Sequence, residues 1–303
     1  MRGIQRIDRG FVYEYPPKAF TLSWQMTEWC NYRCHYCYQN GSVRKWIPYE
    51  EICETADKLN QWFNNLKCNI SLHLVGGEVT YYDLIDLLNN HLTSNYLKKI
   101  ILITNLSRDL NYFTSLFEVI KSRGMDLTLV ASFHEDYMEQ NKDFFDKAKA
   151  LNAKINVVIS DKNANLLDAI FTELEDNEFN LGRVELVKDQ SGISNITKDI
   201  YMKWLPKVSK NISTFYVTFD DGEEELLSRS QCISIMTNFY GYKCRRYLKL
   251  YKDTVHSGSC RVIGPMVQLD EIINYTPAQV ADLCTVDCTA YKCPFCTFSA
   301  IWK

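Results

Sequence analysis

Six short apolar segments, spaced along the chain with helical stripes between most of them, constrain the fold of this sequence more than any other feature. Residues 21–26, 70–75, 99–104, 127–133, 154–159 and 183–187 each read as a strand buried on both faces. Between the first two, Ile52, Ala56, Leu59, Phe63 and Leu66 recur at helical spacing after Pro48. Phe113, Leu116, Phe117 and Ile120 repeat the pattern, as do Phe144, Phe145, Ala148 and Leu151, and then Leu166, Ile170, Phe171 and Leu174. Strands alternating with helices predict an α/β fold with a parallel sheet and right-handed crossovers. Such a sheet gathers functional groups at the C-terminal ends of its strands.

Composition sets outer bounds. At 303 residues the chain has room for one large domain and a small one. A net charge of −3 with 46% hydrophobic residues gives no footprint for nucleic acid and no disordered character. The first ten residues, Met-Arg-Gly-Ile-Gln-Arg-Ile-Asp-Arg-Gly, lack the apolar stretch of a signal peptide, and no apolar run reaches membrane-spanning length. Twelve cysteines without an export signal favour metal binding over disulfides, hence a cytoplasmic, reducing setting.

Just after the first strand come Cys30, Cys34 and Cys37, spaced C-x3-C-x2-C in Trp29-Cys-Asn-Tyr-Arg-Cys-His-Tyr-Cys-Tyr38. Three thiolates at this spacing can hold an iron–sulfur cube and leave its fourth iron open; a zinc site short of one ligand and three buried thiols are the alternatives. The second strand runs into Gly76-Gly77-Glu78, where two residues without Cβ permit a close backbone approach and a carboxylate offers an acceptor for an ammonium group. Together the two motifs resemble the cluster loop and the GGE motif of the radical S-adenosylmethionine (SAM) superfamily. The six strand–helix units resemble the partial (β/α)6 barrel of that family, here spanning 21–225 after an N-terminal extension of 1–20.

The resemblance implies a 4Fe–4S cluster on Cys30, Cys34 and Cys37, with SAM chelating the open iron and Gly76, Gly77 and Glu78 holding its amino group. Thr104, Asn105 and Ser132 stand at strand ends where the family contacts the SAM carboxylate and ribose, although Asn105 also reads as a turn residue. His134 reads as a proton donor or, preferred, as a strand-end histidine facing water. Tyr36 is expected beside the adenine, and Tyr38 as packing. The family's adenine-contacting segment often contains glycine, whereas residues 155–159 here are Ile-Asn-Val-Val-Ile. Reductive cleavage of SAM to a 5′-deoxyadenosyl radical, followed by hydrogen-atom abstraction, is the implied reaction. An electron donor such as a flavodoxin or ferredoxin is implied with it.

The C-terminal third changes character. Cys244 and Cys260 flank residues that read as a hairpin, and Cys284, Cys288, Cys293 and Cys296 follow at C-x3-C-x4-C-x2-C. This resembles a SPASM/twitch extension, a small cysteine-rich α+β unit over 226–303 holding one auxiliary 4Fe–4S cluster, or two. A zinc knot competes for the same cysteines. Cys232 reads as a buried thiol, an extra ligand or a hydrogen-atom donor to a substrate radical, while Cys53 and Cys68 read as apolar fillers. Enzymes of this architecture act on ribosomally made peptides, by cross-linking, epimerisation or oxidation, or on small molecules such as aminosugars. The peptide reading is preferred, although the roughly 20 residues before the first strand are too few for a peptide-recognition domain. A non-catalytic electron carrier would leave Gly76-Gly77-Glu78 and the strand–helix units unexplained.

Overall fold

A computed structural model of the chain describes residues 19–37, 44–159, 180–186, 215–218, 224–227, 243–245, 248–257 and 266–287, with isolated positions between 169 and 174. Its centre is a parallel sheet in the order of the sequence: β1 (Ala19–Thr27), β2 (Asn69–Gly76), β3 (Leu97–Thr104), β4 (Asp126–Phe133), β5 (Lys154–Ile159) and β6 (Asn180–Leu186). The register runs in phase, with Leu22 beside Leu72, Leu72 beside Ile100 and Ile100 beside Leu127. Trp24, Leu22, Ile70, Leu72, Leu74 and Leu102 are fully buried, and burial of this kind stabilises by roughly 1.5–3 kcal/mol per large side chain. The barrel is not closed: the free edge of β1 takes up β10 rather than β6.

Helix α1 (Tyr49–Leu66) forms the first crossover. Glu50 and Glu51 complement its N-terminal dipole, and Ile52, Ala56, Leu59, Trp62, Phe63 and Leu66 form one buried stripe. Lys67, at φ 52°, ends it in the left-handed conformation. The crossover from β2 to β3 departs from the expected pattern. In place of a full helix it holds a 3₁₀ turn (Val79–Tyr81), a single helical turn α2 (Leu84–Asp86) and a π turn (Leu87–His91). Helix α3 (Leu110–Ser122), capped by Asp109, and α4 (Phe144–Ala150) complete the next two crossovers. Of the fourth helical stripe, Ile170 and Leu174 are buried, while Leu166 and Phe171 lie outside the described residues.

A second sheet, β7 (Phe215–Thr218) with β8 (Glu224–Leu227), is an antiparallel pair. The expected hairpin near residue 250 is present as β10 (Leu248–Tyr251) and β11 (Thr254–Ser257), turning through Lys252 at φ 52°. It does not stand apart from the barrel. β10 lies parallel to β1, with Leu22 beside Leu248 and Gln25 beside Tyr251, and β12 (Met266–Gln268) adds an antiparallel edge beyond β11. Beyond lie α5 (Leu269–Ile272), α6 (Pro277–Cys284) and β13 (Thr285–Asp287); β13 pairs with β9 (Lys243–Arg245).

Candidate functional site

The site is built where β1 to β4 end. From β1 the chain turns into residues 28–37, which carry Cys30, Cys34 and Cys37; none of the three is in a disulfide. The loop is fastened to β2 by its backbone, since Gly77 N–H donates to Thr27 O (2.9 Å) and Glu78 N–H to Trp29 O (2.8 Å). This contact accounts for the two glycines. A Cβ on Gly76 would stand 2.5 Å from Thr27 O, and one on Gly77 would stand 1.9 Å from Trp29 O. Their missing side chains thus admit the cysteine loop itself.

Glu78 has no solvent exposure. Its Oε1 accepts from Thr80 N–H (3.1 Å), Thr80 Oγ1 (2.6 Å) and Thr104 Oγ1 (2.8 Å), and its Oε2 from Asn105 N–H (2.7 Å). Burial pushes its pKa up, and these four donors pull it back. The carboxylate therefore ties the end of β2 to the end of β3. Asn105, one residue on, reaches the cysteine loop: Nδ2 donates to Asn31 Oδ1 (2.9 Å) and lies 3.8 Å from Cys30 Sγ.

His134, expected to face water, turns inward instead. Its Nδ1 is 3.4 Å from Cys34 Sγ and 2.8 Å from Tyr36 Oη, and burial lowers its pKa to about 4. It is a neutral ring joining the end of β4 to the cysteine loop. Tyr36 is thereby committed to His134, and its phenol pKa is raised by burial and by the neighbouring Cys34 and Glu135. Burial likewise pushes the Cys30 and Cys34 thiols up to about 11 and about 12, so loading a metal must drive off their protons. Tyr32 stacks on Tyr137 at 3.9 Å between ring centres and closes the other side of the loop.

Between these walls lies a small open cleft whose lining includes Tyr32, Asn105, Ser132, His134, Tyr137 and Asn141. Of the expected SAM-binding residues, Asn105 and Ser132 face it, while Thr104 and Glu78 lie buried beneath. Sequence reasoning missed Glu135, whose two carboxylate oxygens are buried without a hydrogen-bond partner. A buried carboxylate in that state calls for a donor from water, an ion or a ligand. Tyr38, Cys232, Cys260, Cys288, Cys293 and Cys296 lie outside the described residues; for Cys244 and Cys284 the backbone alone is described.

The residues present fit an iron–sulfur cube better than one metal ion. Among the described residues, the compact set of three candidate ligands, with donor atoms within 4.8 Å, is Cys53, Asp86 and His91. Cys30, Cys34 and Cys37 do not form such a compact set, which is compatible with ligands to separate irons of one cluster. Asn105, Ser132 and Asn141 in the cleft beside them offer hydrogen-bonding groups to a polar ligand.

Comparison with known proteins agrees with this geometry. Over residues 24–160 the chain matches the family model of the radical SAM superfamily. A curated S-adenosylmethionine-dependent nucleotide dehydratase from Fibrobacter sp. (strain UWH6) is 34% identical over 70 residues, a match spanning 20% of this chain and 20% of that protein. The solved structure of native anSMEcpe with bound AdoMet and Kp18Cys peptide superposes with a TM-score of 0.58 at 13% identity, over 86% of this chain and 82% of that one. The same protein with AdoMet and Cp18Cys peptide gives 0.57 at 14% identity, over 87% and 82%. The family implies a 4Fe–4S cluster and SAM, and among the described residues no helix is long and apolar enough to cross a membrane. With its three-cysteine loop fastened to the ends of an open parallel barrel, this chain carries over residues 24–160 a domain that matches the radical SAM superfamily.

Proposed function

We propose that this radical SAM enzyme abstracts a hydrogen atom from a peptide and that its C-terminal cysteines hold an auxiliary 4Fe–4S cluster. The reading rests above all on the cysteine loop, whose Cys30 Sγ lies 3.8 Å from Asn105 Nδ2 and whose Cys34 Sγ lies 3.4 Å from His134 Nδ1, two residues that line the cleft. When bound, the cluster and SAM supply the 5′-deoxyadenosyl radical, the hard chemistry that no side chain can provide.

The chain's own residues position and enclose. Cys30, Cys34 and Cys37 carry the cluster, and Gly76 and Gly77 let their loop seat against β2. Asn105 and Ser132 meet the polar parts of SAM from the cleft. The Glu78 Oε2 accepts one internal donor and so keeps a lone pair for the SAM ammonium. Glu135 takes hydroxyl or ammonium donors on its unsatisfied oxygens. His134, neutral and hydrogen-bonded to Tyr36, keeps the wall behind Cys34 uncharged. Tyr32 and Tyr137 narrow access for water, which would quench a radical.

For the peptide, the support is that the overlap with the peptide-bound anSMEcpe structures runs well beyond residues 24–160. For the auxiliary cluster, the support is the backbone register. Cys244 in β9 stands opposite Val286 of β13, and Cys284 immediately precedes that strand, so two candidate ligands share one small sheet. The hairpin also reaches the cluster loop, since Tyr251 donates from its hydroxyl to Glu28 at the loop's start. Residues 226–303 are thus read as an auxiliary unit seated on the β1 edge, with Cys232 as a thiol near its beginning. A nucleotide substrate is the second reading, favoured by the local 34% identity to a nucleotide dehydratase.

Anaerobic protein with SAM and a reductant, offered deuterated peptides or deuterated nucleoside triphosphates, decides between them. Deuterium in 5′-deoxyadenosine from peptides alone supports the peptide reading, and from nucleotides alone replaces it. Iron near eight per chain, falling to four in Cys244→Ala/Cys284→Ala, supports the auxiliary cluster, whereas four irons with copurifying zinc refutes it.

A further inference from the structure

We propose a divalent transition-metal site, zinc by ligand chemistry, on the outer face of the barrel where α1 meets the β2–β3 crossover. Cys53, Asp86 and His91 bring their ligand atoms within 4.8 Å of one another there. All three are partly buried; Cys53 comes from α1, and Asp86 and His91 come from the β2–β3 crossover.

The local structure gathers them by an unusual route. Asp86 closes α2, and the next five residues form a π turn in which Leu92 N–H donates to Leu87 O at 2.9 Å. The added residue of a π turn carries position 91 round toward the face held by 86, which regular helical spacing would give to 90; such turns concentrate at functional sites. On the facing helix, Cys53 and Asp57 are four residues apart and share one face.

The supporting contacts are those of a metal centre. His91 Nδ1 lies 2.9 Å from Asp57 Oδ1, and in the tautomer that donates from Nδ1 to this carboxylate the Nε2 lone pair is left for a metal. Histidine ligands to zinc are commonly oriented by such a carboxylate. Asp86 is held on both oxygens, from Tyr49 Oη (2.7 Å) and Asn90 Nδ2 (2.6 Å), and each oxygen retains acceptor capacity. One thiolate, one imidazole and one carboxylate form a borderline-soft set that suits zinc, and zinc outcompetes ferrous iron for it. Three protein ligands leave one position for water. The metal clasps α1 to the crossover that lacks a full helix, and that crossover carries the segment following Glu78. Cys53 is then a ligand rather than the apolar filler its place on α1 suggests.

The test uses the full chain with its iron–sulfur content reconstituted, exposed to excess Zn²⁺ and desalted. Wild-type protein retains one more zinc per chain than Cys53→Ala and than His91→Ala, counted by mass spectrometry. X-ray absorption at the zinc edge of that extra metal shows one sulfur among nitrogen and oxygen neighbours. Asp57→Asn keeps the three ligands and weakens zinc affinity by about 10–100-fold. Zinc raises the thermal midpoint of wild type and leaves that of Cys53→Ala unchanged. Equal zinc in wild type and both alanine variants, or a retained metal with a sulfur-only shell, overturns the proposal.

Discussion

Replacing Glu78 by glutamine separates two roles that the GGE motif could give this carboxylate. In the structure it is buried and accepts four hydrogen bonds, three on Oε1 and one on Oε2. Glutamine matches its size but offers one acceptor oxygen and one amide donor. If the oxygen stays with Thr80 and Thr104, the amide faces Asn105 N–H, donor against donor, and that buried N–H loses its partner at a cost of about 1–3 kcal/mol. The bonds that remain lose charge assistance, a further cost of about 1 kcal/mol in total. Glu78→Gln should therefore destabilise the cluster-free, SAM-free protein by about 2–4 kcal/mol. At about 2–4 °C per kcal/mol for a unit of this size, the thermal midpoint falls by roughly 4–16 °C. Calorimetry and urea unfolding under anaerobic conditions, without SAM, measure this directly. If Glu78 served only to bind the SAM ammonium, the same variant would unfold like wild type and differ only in SAM affinity. A loss below about 0.5 kcal/mol without SAM would refute the role of Glu78 in tying the end of β2 to the end of β3.

Gly77→Ala places a methyl group where Trp29 O stands at 1.9 Å, so the cysteine loop must lift from β2; iron content after reconstitution should fall sharply while far-UV circular dichroism is retained. Cys30→Ala/Cys34→Ala/Cys37→Ala should abolish 5′-deoxyadenosine formation, followed by chromatography, and leave C-terminal iron in place. Because His134 has a folded pKa of about 4, below the ordinary value of 6.5, the unfolded chain binds a proton that the folded chain refuses as pH falls between those values. Stability of the cluster-free protein should thus drop from pH 6.5 toward 4, by up to roughly 3 kcal/mol, and His134→Gln should flatten that slope in pH-dependent unfolding.

Much of this was legible in the chain. Strand positions follow from apolar runs that bury both faces, so the first five expected segments coincide with β1 to β5 to within two residues, and the sixth overlaps β6. The cysteine spacing and Gly76-Gly77-Glu78 are local patterns whose chemistry needs no partner to be recognised. What the sequence hid depends on which segments become neighbours. The β2–β3 crossover reads as one more strand–helix unit, and only packing against α1 shows it shortened into a single turn and a π turn. The hairpin near residue 250 is a local signal, but its parallel seat on β1 is a long-range pairing that no local pattern encodes. Glu78 looks like a free ligand-binding carboxylate until Thr104 and Asn105, at the end of another strand, engage both of its oxygens. His134 and Cys53 likewise take their surroundings from residues 100 and 33 positions away in the chain. Identity and spacing marked the resemblance to the radical SAM superfamily and the three-cysteine loop. Tertiary structure alone decided which polar groups face the cleft, because burial and hydrogen-bond partners belong to the fold and not to the residue.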